Sequence, residues 1–333
     1  MKNILITGAT GFLGKYLVKE FSKDHNVYAM GRNTSKRKEL ESLGATFCEC
    51  DFTNKKECEI FFKDIDYVVH SGALSTVWGS WDDFYNINVL GSINIAQLCV
   101  EHGVKKLVYV SSPSIYTTNA DRFNIKEDEF DSNNELNYYI KSKIMAEKQL
   151  KEFLNKGTEI ITIRPRGLIG PEDTSLVPRI LAANKKIGIP LFNNGKNIVD
   201  ITCVENVAYA CRLCIYTDGI DGEVFNISNG EPMEFKTILE KFLQAINEQP
   251  KYLTLPFNLV YSIAVLLENI YKKQNKTKEP PLTKYTVCTL GFSQTLNIEK
   301  AKKLLGYKTI IKLEDGIINY GKWKSNNNWS LFI

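Results

Sequence analysis

The sequence predicts an α/β fold: a doubly wound parallel sheet with a smaller C-terminal α/β lobe. Three observations carry this. A glycine-rich turn, Thr7-Gly8-Ala9-Thr10-Gly11-Phe12-Leu13-Gly14, joins the apolar run Ile4-Leu5-Ile6 to a helical pattern from Phe12 to Phe21. Short apolar runs then alternate with helical patterns as far as Pro165, and such alternation builds a parallel sheet with helices on both faces. Beyond Pro165 the regular alternation stops. A nucleotide lobe is therefore expected over 1–165, with 197–228 returning to it, and a substrate lobe over 166–196 plus 229–333.

The chain has 333 residues, which suits one large domain with a smaller lobe. Its hydrophobic content of 44% and charged content of 24% are ordinary for a globular enzyme. The net charge of +4 is small and spread out, and no basic run carries interleaved aromatics, so nucleic acid is not expected as a partner. Strand pattern begins at once, so no signal peptide is expected, and the eight cysteines read as reduced thiols of a cytoplasmic protein. Cys211 and Cys214 have metal-like spacing but no second pair, and the three histidines are scattered. Core packing is the preferred reading, with no metal.

In the glycine turn each glycine has its own expected task. Gly8 lets the chain leave the strand, Gly11 lets backbone approach a diphosphate, and Gly14 lets the helix pack on the sheet. The helix then presents its unpaired N–H groups to the anion. Thr10, Phe12 and Leu13 complete the expected contacts. Asn26 to Met30 reads as the second strand. An acidic residue at its end would select NAD, but here Gly31-Arg32-Asn33 follows. A guanidinium can grip a 2′-phosphate that a carboxylate would repel, so Arg32 points to NADPH over NADH.

Ala45 to Cys50 is the third strand. Asp51 at its end can accept from an adenine amino group, beside Phe52; the plainer reading is a helix cap, a role Thr53 or Asn54 also fills. The fourth strand, Asp66 to His70, runs into Ser71-Gly72-Ala73, small residues that would let a dinucleotide lie against the strand end; His70 itself reads as packed. Trp81 to Val100 is an apolar-periodic helix, and the polar Asn88 at its centre implies an internal hydrogen bond, to a neighbouring strand's backbone. Lys106 to Val110 is the fifth strand and ends in Ser111-Ser112. Tyr139 and Lys143 lie four apart on the next helix, on one face. A nearby ammonium favours a phenolate, so Lys143 is expected to pull the Tyr139 pKa down from about 10. With Ser112 on the substrate oxygen, the set suits acid–base work coupled to hydride transfer.

Together, Thr7-Gly-x-x-Gly-x-x-Gly14, Ser112 and Tyr139-x-x-x-Lys143 resemble an extended short-chain dehydrogenase/reductase, with its Rossmann fold, along nearly the whole chain. Four stretches resemble the 3β-hydroxysteroid dehydrogenase branch, and within it the bacterial 2-alkyl-3-oxoalkanoate reductases. They are His70-Ser-Gly-Ala-Leu-Ser75 with Trp78-Gly79, Tyr109-Val-Ser-Ser-Pro-Ser-Ile-Tyr116, Arg164-Pro-Arg-Gly-Leu-Ile-Gly-Pro171 and Glu279-Pro-Pro-Leu-Thr-Lys-Tyr285. The resemblance implies Tyr139 as acid/base, Lys143 on the nicotinamide ribose, Ser112 polarising the carbonyl, and Pro165 in contact with the cofactor. It implies Ser114 and Arg166 near the substrate, a small apolar keto or hydroxy compound, and a homodimer. Nucleotide-sugar epimerases share the catalytic set and stand as the alternative, with tightly bound NAD(P). Dehydratases usually want an acidic pair near the serine, and Pro113-Ser114 offers none. A redox-sensing binding protein would need none of the three residues.

In the second half, Ile160 to Pro165 is the sixth strand and Leu176 to Lys185 a helix. Arg179 can meet an acidic substrate group or lie free on the surface. The apolar stretch 255–271 is too short to span a bilayer; it lines a substrate pocket, a dimer interface or a membrane surface. A polar loop is expected over 274–278, a helix ending at Gly306 as its C′ residue, and a loose tail over 325–333.

Overall fold

The computed structural model describes residues 1–274 and 276–327. Seven parallel strands form the main sheet: β1 (Asn3–Thr7), β2 (Asn26–Gly31), β3 (Ala45–Glu49), β4 (Tyr67–His70), β5 (Lys106–Val110), β6 (Glu159–Pro165) and β7 (Val224–Ile227). Their spatial order is β7-β6-β5-β4-β1-β2-β3. The strand order reverses at β1, so the crevice beyond the carboxyl ends of β1 and β4 is where such a sheet takes a ligand. The strands read as continuous apolar runs because both faces are covered. Ile4, Ile6, Val69, Val108, Ile161 and Ile163 pack on one face, and Leu5, Val68, Leu107 and Ile160 on the other.

The first six strands lie where the sequence places them. The seventh, Val224–Ile227, has no signal in the alternation, because it reaches the sheet from beyond the second lobe's first segments. The helix Val204–Tyr216 packs on Phe12–Phe21 and buries Cys211 and Cys214 in the core. Ile198–Val199 instead joins a separate four-stranded sheet with Arg122–Ile125, Met233–Glu234 and Gln294–Leu296. A third core there is built on Leu181, Ile238, Phe242 and Ile317.

Three local readings need correction. The helix expected over 81–100 is broken: Trp81–Phe84 and Gly91–Glu101 are α-helical, while Tyr85–Leu90 is a π-turn. Inside that turn Asn88 accepts from the Leu74 N–H at 2.7 Å and donates to the Leu74 carbonyl at 3.0 Å and to Ser142 at 2.9 Å. The internal bond is there, but it ties a loop and a helix, not a strand. The loose tail expected over 325–333 does not start at Ser325, which belongs to the helix Leu313–Asn326; the rest of that segment, from 328, lies outside the described residues, as does Asn275 of the polar loop. Gly306 does close the helix Glu299–Leu305, at φ 64°.

The stretch 255–271 is the helix Phe257–Lys273. Val260 and Ala264 face inward against Phe192 and Val287, while Leu259, Ile263, Leu266 and Ile270 form an exposed stripe. Glu268 and Tyr271 line a cavity of about 660 Å³ with Trp78 and Trp81, apart from the cleft described below. No helix among the described residues is long and apolar enough to cross a membrane.

Candidate active site

In the glycine turn Gly8 takes the positive φ at which the chain leaves the strand, Gly14 the close packing under the helix and Gly11 the open surface, as the sequence reading has it. Gly8 has φ 69°, and a Cβ there would stand 2.6 Å from the Gly72 backbone. A Cβ on Gly14 would stand 2.2 Å from the Gly8 carbonyl oxygen. Both are demanded by packing. A Cβ on Gly11 would meet only that same carbonyl, at 3.2 Å, so this is where the turn's surface is left open. Gly11 also precedes the helix Phe12–Phe21, whose first N–H groups have no side-chain cap. An uncapped helix start over a bare backbone fits a diphosphate.

From this turn a cleft of about 610 Å³ runs along the strand ends. Thr10, Phe12, Leu13, Arg32, Phe52, Ser71, Gly72 and Ala73 line its first part, and Ser112, Ser114, Tyr139, Lys143, Pro165 and Arg166 its second. Gly72 is small for a protein reason: a Cβ there would strike the Phe52 ring at 2.6 Å. Arg32 is 65% exposed and pairs with Asp51 at 3.2 Å. Asp51 also accepts from Thr53 N–H at 3.0 Å and its hydroxyl at 2.8 Å. Burial works against the Asp51 carboxylate, but the Thr53 bonds and Arg32 outweigh it and hold the pKa low. Asp51 thus braces Arg32, and the helix cap is Asn54. Lys36 and Arg37 pair with Glu39 and Glu49 and do not line the cleft, so among the described residues Arg32 is the cation that lines it at this end.

At the other end Ser112 follows β5 and caps the short turn Pro113–Tyr116, accepting from Ser114 N–H at 3.2 Å. Asn137 caps the helix Tyr138–Leu150, which delivers Tyr139 and Lys143 on one face. The Tyr139 and Ser112 side chains line the cleft side by side. The expectation of a lowered phenol pKa does not hold. Burial pushes Tyr139 up to about 12, with only the neighbouring Ser112 hydroxyl opposing. The Lys143 ammonium is turned away from the phenol: it donates to the Val110 carbonyl at 3.0 Å and to the Tyr109 hydroxyl at 3.2 Å. Burial lowers the Lys143 pKa to about 8, against the pull of Glu147. Tyr109 was missed in the sequence because it reads as one more strand aromatic. His70 is packed, with Thr7 on one ring nitrogen and Ser92 at 3.0 Å on the other, and burial lowers its pKa to about 3.

The structure brings Ser114 and Arg166 to this cleft but not Arg179. Arg179 donates twice to Glu279, at 3.0 and 3.2 Å, and lines a second cavity of about 500 Å³ beside Phe12 and Tyr320. Asp200, Tyr285 and Thr289 join Arg166 in the cleft, though they come from segments far apart in sequence. Leu176, Ile180, Phe235, Ile238 and Leu290 form its apolar wall.

A doubly wound sheet with a bare glycine turn at one end of its crevice and a half-buried tyrosine beside a serine at the other serves hydride transfer, so the chain is an NAD(P)-dependent oxidoreductase. It belongs to the NAD dependent epimerase/dehydratase family, whose model matches residues 4–228, within the extended short-chain dehydrogenase/reductases. It is 30% identical over 329 residues to the 2-alkyl-3-oxoalkanoate reductase of Shewanella oneidensis, covering 95% of this chain and 85% of that one. It is 28% identical to the mouse sterol-4-alpha-carboxylate 3-dehydrogenase (decarboxylating), covering 95% and 89%. The fold matches the UDP-glucose 4-epimerase of Thermotoga maritima with a TM-score of 0.78 at 22% identity, over 98% of this chain and 99% of the other.

Proposed function

We propose that this protein is an NADPH-dependent reductase of an apolar keto compound, a β-keto acyl or steroid-like molecule, or the dehydrogenase of the matching alcohol. The observation that carries the reading is the half-buried Tyr139, set beside Ser112 in a cleft with an apolar far wall. The names of the two relatives, an oxoalkanoate reductase and a sterol carboxylate 3-dehydrogenase, support keto/hydroxy chemistry. In this reading residues 1–165 form the nucleotide lobe, with the expected return over 197–228 made by Val204–Tyr216 and Val224–Ile227, and the second lobe closes the substrate end of the cleft.

The bound cofactor supplies a hydride. Gly8, Thr10, Gly11, Phe12, Leu13 and Gly14 seat its diphosphate, and Phe52, Ser71, Gly72, Ala73 and Pro165 flank it. Asp51 keeps Arg32 in place beside it. Ser112 holds the substrate oxygen, and Tyr139 donates the proton that the oxygen takes. Lys143 holds the ribose. Reduced cysteines support a cytoplasmic setting. The stripe Leu259, Ile263, Leu266, Ile270 supports a surface contact, in a homodimer or at a membrane.

The test is NADPH oxidation by purified protein across β-keto acyl and steroid ketones. No turnover with any of them, together with a retained cofactor absorbance in the protein as purified, would favour a sugar-nucleotide epimerase instead. For cofactor choice, Arg32→Ala is expected to weaken NADPH by roughly ten- to a hundredfold, the worth of charge-assisted hydrogen bonds, and to leave NADH nearly unchanged. Equal loss for both would exclude a 2′-phosphate contact. The Lys143 pKa sets a pH dependence. Its ammonium is charged below about 8 and discharged above it, so kcat/KM for NADPH is expected to be flat at lower pH and to fall above about 8. Lys143→Met should abolish that fall.

A further inference from the structure

The Lys143 ammonium is buried, and among the described residues it has two hydrogen-bond partners, both at the carboxyl end of β5. It donates to the Val110 carbonyl at 3.0 Å and to the Tyr109 hydroxyl at 3.2 Å. An ammonium carries three N–H groups at tetrahedral angles. Two fixed bonds therefore fix the direction of the third, and Lys143 lines the cleft. A long, flexible side chain becomes a rigid donor through a backbone carbonyl, which any residue supplies, and a phenol, which only a tyrosine at this position supplies.

The phenol is itself held. Its ring stacks on His70 at 5.7 Å between centroids, with 26° between the planes. His70 is fixed in turn by Thr7 and by Ser92 at 3.0 Å, and Phe52 of the cleft wall meets it edge-on at 5.2 Å. Burial raises the Tyr109 pKa well above its ordinary value, so the hydroxyl stays protonated and acts as a neutral acceptor.

The ammonium has no counter-ion of its own. On its own helix, Glu147 pulls from one turn away but is paired with Arg164 of β6, and Tyr139 is a protonated phenol. From β4, His70 is neutral, because burial lowers its pKa to about 3. From β5 comes Tyr109. Burial has already brought Lys143 down to about 8, so what accepts from the ammonium decides its charge just above neutral pH. A hydrogen bond given by an ion is about twice as strong as one between neutral groups, so the Tyr109 oxygen favours the ammonium over the amine.

We infer that Tyr109 is a positioning residue for the cofactor: with the Val110 carbonyl it holds the Lys143 ammonium with one N–H free for the ribose, and it thereby sets the upper pH limit of cofactor binding. This rests on the reading in which Lys143 meets the cofactor, and it needs no particular ketone.

The experiment is NADPH binding, followed by fluorescence over roughly pH 6.5 to 9.5, for the wild type, Tyr109→Phe and Lys143→Met. Wild-type affinity is expected to stay level and then to fall above about 8. Tyr109→Phe keeps the ring on His70 and loses only the acceptor, which should move the fall down by about one pH unit. NADPH should then bind almost as in the wild type at about pH 6.5, about threefold more weakly at about pH 7.5 and about tenfold more weakly at about pH 9. Lys143→Met is expected to bind weakly at every pH, without the fall. Thermal melting reports folding, and Tyr109→Met, which lacks the same hydroxyl, is expected to show the same displacement if the Phe variant is unstable. A loss in Tyr109→Phe that is equal at every pH, with the fall still at about 8, would mark a structural residue and overturn the inference. Wild-type affinity that stays level throughout, or a fall that persists in Lys143→Met, would overturn it together with the cofactor role of Lys143. The ketone-reductase reading is decided separately, by turnover.

Discussion

Tyr139→Phe is expected to lower ketone reduction by about 10²- to 10⁴-fold, the usual worth of a positioned general acid, while NADPH affinity stays within a few-fold of wild type. The argument is positional. The Tyr139 ring packs near Phe84, at 6.4 Å between centroids, and that contact survives the change. Only the hydroxyl beside Ser112 is lost. The raised pKa of about 12 keeps the phenol protonated at neutral pH, as a donor to a developing alkoxide must be. Steady-state rates, with NADPH binding followed by fluorescence, check the point. A variant that turns over at an undiminished rate would exclude Tyr139 as the acid. A variant that loses NADPH binding in proportion would show a structural role instead.

The same residue shows how far the sequence reading reached. Spacing alone put Tyr139 and Lys143 on one helix face, since i and i+4 must share it. It could not say which way the ammonium points. That depends on the Val110 carbonyl and the Tyr109 hydroxyl, which β5 brings up from thirty residues earlier. The glycine turn was legible as a motif, yet two of its three glycines serve packing against Gly72 and Ala9, contacts set by tertiary structure. The first six strands were legible because each is a short apolar run bounded by turn residues. Val224–Ile227 was not named as a strand, although 197–228 was expected to return to this lobe, because nothing local says that it pairs with the edge strand Glu159–Pro165. Arg166 could be marked by its motif, but its neighbours could not. Asp200, Tyr285 and Thr289 meet it only through the packing of the second lobe. Arg179 was placed near the substrate on its charge alone, and Glu279, a hundred residues on, holds it elsewhere.

Glu147→Ala is the change expected to cost the most stability, about 3–5 kcal/mol, because it strands a buried guanidinium. Glu147 lies one helical turn beyond Lys143. Its carboxylate takes the Arg164 side chain at 2.9 Å through Nε, with a second contact at 2.5 Å, and accepts from the Ser111 hydroxyl. Arg164 in turn donates to the Tyr116 hydroxyl and to the Glu127 carbonyl at 2.7 Å, and lies over the Phe130 ring at 5.0 Å. Tyr116 passes the chain on to Asn226 of β7 at 2.8 Å. One buried pair therefore fastens the catalytic helix to β5, β6 and β7 at once, directly behind Ser112. Removing the carboxylate leaves Arg164 without its only ion-pair partner among the described residues. Glu147→Gln keeps an acceptor for the guanidinium and should cost less. Replacing Glu147 and Arg164 together by Met and Leu should cost less than Glu147→Ala alone, since no charge is then left buried. Denaturant midpoints of the three variants order these effects. A Glu147→Ala protein within 1 kcal/mol of wild type, or a double variant less stable than the single, would show that the pair does not hold the helix.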